Sequence, residues 1–125
     1  MKDENKKPPE DLKQRTKRFA LRVIRLYSAL PTTEVARVLG KQVLRSGTSV
    51  GAQYREGVRS RSDAEIISKW SGALQELEET SYWFELLAEG DVVPANLLAD
   101  LMRECDELTA ILTTCVKNVK ARKHV

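Results

Sequence analysis

Few side chains in this 125-residue chain could do bond-making chemistry. The one histidine, His124, stands beside the C-terminal residue, so a nucleophile, a base and an orienting group cannot be assembled in the commonest way. No HExxH stretch and no paired-cysteine spacing of a zinc site occurs. Cys105 and Cys115, on one helix, stand about three turns apart, too far for a disulfide within that helix, and are expected reduced and buried. Glu78 falls near the edge of an apolar stripe, where desolvation could raise its proton affinity, but a salt bridge is the simpler expectation. These observations argue against an enzyme and imply no cofactor and no metal.

The remaining candidates bind rather than react. The stretch "LRSGTSVGAQYREG", residues 44–57, has glycines and hydroxyls that could suggest a phosphate cradle, yet no strand precedes it and no Gly-Lys-Ser/Thr ending follows. Its small residues Ser46, Gly47, Ser49, Gly51, Ala52 and Gly57 remove bulk, which lets a second helix approach closely at a cost of about 1 kcal/mol per interior glycine. Gln42, Ser46, Ser49 and Gln53 then form a polar layer on the inner stripe that must be hydrogen-bonded internally and can fix helix register.

Arginine supplies the second candidate. On a wheel of 100 degrees per residue, Arg37, Lys41, Arg45, Arg55 and Arg59 fall within about 80 degrees of one another, opposite the inner stripe. Arg15, Arg18, Arg22 and Arg25 form a similar ridge on the preceding helix. Guanidinium groups offer paired donors to phosphate, and neutralising several phosphates releases counterions. The competing reading is a solvated or salt-bridged face, since Glu34 and Glu56 interrupt the second ridge and no aromatic residue lies on it to stack bases. The formal net charge of +3 conceals an asymmetry: residues 1–62 hold fifteen Lys/Arg against six Asp/Glu, and residues 63–125 hold six against twelve. The two halves attract each other, either within one bundle or between subunits.

Four amphipathic helices must position these residues. The first 10 residues, "MKDENKKPPE", carry charge and proline without periodicity and read as a disordered arm. A first helix is expected from Asp11 to Leu30, ended by Pro31, and a second from a Thr32 or Thr33 cap to about Arg59. The second helix's inner stripe runs from Val35, Val38 and Leu39 to Tyr54 and Gly57. "SDAE" at Ser62 opens a third helix as a capping box with Glu65 reaching back, and Gly90 closes it. A fourth begins near Pro94 and runs to about Lys120, leaving residues 121–125 as a basic tail. Short connections imply an all-α, antiparallel, up-down-up-down four-helix bundle over residues 11–120. No apolar run is long enough to span a membrane and the charged first residues do not resemble a signal peptide, so a cytoplasmic location is expected.

Near the end of the third helix, Trp83 lies roughly opposite the inner stripe, with Tyr82 and Leu86 to one side and Leu87 to the other. One bundle cannot cover all sides of a helix, so these residues read as a subunit contact. Glu76, Glu79 and Glu85 beside them would pair with a neighbour's basic ridge in a head-to-tail contact that closes a ring.

"SVGAQYREG", "RSRSDAE" and "ALQELEETSYWFELL", followed by an amphipathic last helix, resemble the bacterial four-helix bundle proteins named after relatives encoded within intervening sequences of 23S rRNA genes. Ser49, Ala52, Glu56, Arg59, Ser62, Glu65, Lys69, Leu74, Glu76, Glu79, Tyr82, Trp83 and Leu87 fall at matching spacings, while Gln53 stands where asparagine is usual. The resemblance implies a bundle assembled as a ring-like homopentamer, in a family without a settled biochemical function. Its distant relatives include accessory proteins of diversity-generating retroelements, basic pentamers that bind nucleic acid and a reverse transcriptase. The expectation is a non-enzymatic homo-oligomer holding RNA or DNA nonspecifically on helices one and two; the alternative is a protein-binding scaffold without a nucleic-acid role.

Overall fold

The computed structural model describes residues 11–122. The expected arm, residues 1–10, and the last three residues of the basic tail lie outside them. Four helices follow one another: α1 (Leu12–Ala29), α2 (Glu34–Val58), α3 (Asp63–Glu89) and α4 (Ala95–Arg122). No strand occurs among the described residues.

Local chemistry sets most boundaries. Asp11 caps α1 by accepting from the Lys13 amide at 3.1 Å, and Pro31 follows the C-cap Leu30. Thr33 caps α2 by accepting from the Ala36 amide at 3.2 Å. Ser62 caps α3 through the Glu65 amide at 3.1 Å. The Glu65 carboxylate reaches back one residue further than expected, to the Arg61 amide at 3.1 Å. At the other end of α3, Gly90 keeps a negative φ, and Asp91 takes the left-handed turn with a φ of 60°. The Val92 and Val93 amides both donate to the Leu87 carbonyl, at 3.0 and 3.1 Å, which reverses the chain and buries Val93. α4 runs on through Ala121 and Arg122.

Neighbouring helices pack antiparallel. α2 touches α1 on one side and α3 on the other, α4 lies against α3, and α1 and α4 meet over a shorter contact. Phe19, Val23, Val43, Val50, Leu77, Phe84, Leu87, Leu98, Leu108 and Leu112 are fully buried, each contributing about 1.5 to 3 kcal/mol relative to exposure.

The small residues of α2 face two partners rather than one. A Cβ on Gly47 would stand 2.9 Å from Val23 Cγ2, and one on Gly51 would stand 3.0 Å from Thr16 Oγ1, so these two glycines seat α1. Gly57 instead makes room for Trp70 of α3. Ala52 is exposed and admits nothing.

Several expected core positions are corrected by this arrangement. Val35 and Val38 are 57% and 53% exposed, because the first turns of α2 present Ala36 and Gly40 to α1 instead. On α3 the buried row is Ala73, Leu77, Thr80, Phe84 and Leu87, since the helix must serve α2 and α4 at once and its apolar surface is correspondingly wide.

Candidate nucleic-acid interface

The polar layer of α2 is narrower than its sequence suggests. Of Gln42, Ser46, Ser49 and Gln53, only Ser46 is fully buried. Its hydroxyl lies 2.7 Å from Thr80 Oγ1 and 2.9 Å from the Gln42 carbonyl, and Thr80 in turn donates to the Glu76 carbonyl at 2.7 Å. Thr80, invisible as a partner in the sequence, completes the contact from α3. Ser49 is half-buried and turns to its own helix, donating to the Arg45 carbonyl at 2.7 Å. Gln53 leans over Gly72 to Glu76 at 3.5 Å.

The ridges do not form one continuous face. Arg15 points across to α4: its Nε and Nη2 donate to both Glu104 oxygens at 2.7 and 2.9 Å, and Nη2 also reaches Glu107 at 2.6 Å. These carboxylates, the Glu104 hydrogen bond foremost, raise the Arg15 pKa. Arg45 leans toward α3, 2.6 Å from Glu79 and 3.8 Å from Glu76. Burial pushes the Glu76 carboxyl above its ordinary range, against the pull of Arg45. Arg55 donates to the Lys13 carbonyl at 3.4 Å. Arg15, Arg45 and Arg55 therefore each have a partner within the bundle.

Helical geometry explains the split. On α1, Arg15, Arg18, Arg22 and Arg25 occupy the flank that turns toward α4. Lys13, Lys17, Ile24 and Ser28 occupy the flank beside α2's outer ridge, roughly 130 degrees away around the helix. Arg37, Lys41, Arg55 and Arg59 stand on the same side of the groove as this second group. Arg22, Arg25, Arg37, Lys41 and Arg59 form no ion pair with any described residue; Arg22 is half-buried and the other four are exposed. No Asp or Glu occurs within α1.

Each end of the groove between α1 and α2 opens into a hollow. One, of about 390 Å³, is lined by Tyr27, Ser28, Thr32, Arg37 and Lys41. The other, of about 160 Å³, is lined by Asp11, Lys13, Tyr54, Arg55 and Arg59. Sequence reasoning missed Lys13 and both tyrosines, because Tyr27 and Tyr54 read as inner-stripe residues. Tyr54 stacks on Trp70 with ring centres 5.5 Å apart, and Trp70 Nε1 donates to the Tyr54 carbonyl at 3.1 Å, so this wall is rigid.

The aromatic cluster on α3 divides. Leu87 is fully buried in the core and is corrected from a subunit contact to an internal residue. Trp83 packs in part against the core, contrary to an outward placement, yet its Nε1 is buried without an acceptor. Tyr82 is 52% exposed, with its ring 5.1 Å from that of Trp83, and Leu86 is half-exposed. On α2, Val35 and Val38 are also exposed apolar side chains.

Of the remaining chemistry, Cys105 is a buried thiol donating to the Leu77 carbonyl at 3.3 Å, its pKa pushed up to about 12 by burial. Glu78 is exposed and lines an acidic groove between α3 and α4 with Glu85 and Asp106. No cluster of metal-ligating side chains occurs among the described residues, and none of their helices is long and apolar enough to cross a membrane.

A sequence profile of the 23S rRNA-intervening sequence protein family matches residues 10–114, which takes in α1, α2, α3 and most of α4. The chain belongs to this family. A solved structure similar to it is a protein of unknown function from the S23 ribosomal protein family of Bacteroides thetaiotaomicron VPI-5482. It has 35% sequence identity and a TM-score of 0.80, over 85% of this chain and 95% of that one. Comparison with curated proteins gives no match. Membership of the intervening-sequence family fixes an all-α protein without assigning it a reaction or a ligand.

Proposed function

We propose that this intervening-sequence family protein is a non-enzymatic accessory factor that assembles as a homopentameric ring and holds nucleic acid, without sequence readout, on the outer face of α1 and α2. The observation that supports this reading is the pairing of Arg37 and Lys41 at one end of the groove with Lys13 and Arg59 at the other, where the cations outnumber the single carboxylate, the α1 cap Asp11. Arginine and lysine held on rigid helices bind phosphate without first surrendering much backbone entropy.

Assembly draws on the other side of the molecule. Val35, Val38 and Tyr82 are exposed apolar groups, and a neighbouring subunit that covers them removes this surface from water. A reverse transcriptase as protein partner is part of the same reading, carried from the retroelement resemblance, and so is a cytoplasmic setting, carried from the charged first residues and the lack of a membrane-length apolar run.

A salt titration of a labelled nucleic acid tests the proposal. Affinity should fall steeply between about 50 and 200 mM salt, as expected when several phosphates are neutralised. Arg37→Glu with Lys41→Glu should abolish binding, whereas no binding by the wild type at the lowest salt would refute it. That last result would favour a protein scaffold, in which the arginines serve internal pairing as Arg15 does.

A further inference from the structure

The shape of the groove carries the proposed binding further, toward the form of nucleic acid it takes. Arg37 and Arg59 are separated by 22 residues of α2 and its cap, or about 33 Å along the axis. Between the two charged hollows the surface changes character. Ile24, on the groove flank of α1, is 42% exposed, and its neighbour Val23 meets Gly47, about midway between Arg37 and Arg59 along α2. The track thus carries cations at both ends, beside Asp11 at one and beside Leu30, Pro31 and Ala36 at the other, with the exposed Ile24 between them and a tyrosine in each hollow.

A double helix offers such a surface only its charged backbone and the edges of its bases, and leaves Ile24 with nothing apolar to cover it. An unpaired strand offers phosphates and flat, weakly polar base faces together. Stacking on aromatic rings contributes about 1 to 3 kcal/mol per base and tolerates any sequence. Tyr27 can serve this way: its ring rests on Gly40, which presents no side chain, and it lines the larger hollow with Leu30, Pro31 and Ala36 as well as with Ser28, Thr32, Arg37 and Lys41.

We infer that the α1–α2 groove takes single-stranded nucleic acid in preference to duplex, with phosphates held by Arg37 and Lys41 at one end and by Lys13 and Arg59 at the other, and with bases against Tyr27 and Ile24. This rests on the nucleic-acid reading above. RNA and DNA strands share the chemistry that the groove uses, since no group in it is committed to a 2′-hydroxyl.

The test uses the full chain and fluorescence anisotropy with labelled oligouridylate and oligothymidylate of about twelve nucleotides, within the range such grooves cover, and duplexes of the same length. Either single strand should bind at least about tenfold more tightly than either duplex, the difference that stacking of one base supplies. Ile24→Ser with Tyr27→Leu should remove most of this preference, weakening binding of the strands more than that of the duplexes. Tyr27→Phe should retain it, and circular dichroism of each variant checks that the helices persist. Duplex binding as tight as that of the strands, or an equal loss on both by the double variant, would overturn the inference while leaving nucleic-acid binding intact. Failure of every probe to bind would remove the underlying reading instead.

Discussion

Arg15 of α1 grips Glu104 of α4 with both arms of its guanidinium, at 2.7 and 2.9 Å, where the first and last helices meet. Both side chains are mostly shielded, at 20% and 17% exposure, so the pair is less screened than a surface ion pair. The fork ties the first helix to the last, which meet over a shorter contact than the other neighbouring pairs.

Arg15→Ala should therefore lower unfolding free energy by about 1 to 3 kcal/mol, the range for a charged hydrogen-bonded partner removed from a part-buried site. Urea denaturation of Arg15→Ala, Glu104→Gln and the double variant measures it. Losses that simply add would show that the two residues are not coupled.

Gly47→Ala tests why α2 gives up side chains. Alanine favours the helix by about 1 kcal/mol, but its Cβ would stand 2.9 Å from Val23 Cγ2, and overpacking of a tight contact costs about 1 to 3 kcal/mol. A net loss in thermal stability is expected, and Val23→Ala in the same chain should recover part of it. A stabilised single variant would mean that α1 gives way freely.

Glu76 predicts a pH dependence. Its carboxyl is raised above 4.5, first by burial, so the folded chain holds this proton more tightly than the unfolded chain does. Linkage then gives a contribution that is fully present below the ordinary value and is lost as pH rises through the folded one. Glu76→Gln should melt higher than the wild type near neutral pH, with the advantage vanishing in acid. The opposite trend would show that Arg45 outweighs burial.

The two thiols should separate kinetically. Cys105, buried and titrating only near pH 12, should react with a disulfide reagent only on unfolding, and the half-buried Cys115 should react faster. Counting thiols released with and without denaturant distinguishes them.

Assembly is checked by light scattering on a sizing column. Val38→Asp with Tyr82→Ser alters residues more than half exposed in the single chain, so folding should be preserved while a ring dissociates. A wild type that runs as a monomer at tens of micromolar would end the pentamer reading.

Much of the fold was legible in the sequence because its signals are local. Asp11, Thr33 and Ser62 satisfy the first amides of their helices from two or three residues away, Pro31 follows the end of α1, and the 3.6-residue period shows through α1 and α4. The family pattern in α2 and α3 was likewise visible as spacing.

The site was less legible, because a helical wheel gives the angle between residues on one helix but not which neighbour occupies each angle. The arginines of α1 and α2 look alike in sequence; only packing turns Arg15 to Glu104 and Arg45 to Glu79, and leaves Arg37 and Lys41 beside Tyr27. The same limit placed Leu87 outside and Val38 inside, when the joint demand of α2 and α4 on α3 and the close seating of α1 at Gly40 reverse both. The sequence by itself determined four capped amphipathic helices and a basic first half. Which charges pair inside the molecule and which stay exposed was decided by tertiary contact, since pairing depends on distances across helices that no local period encodes.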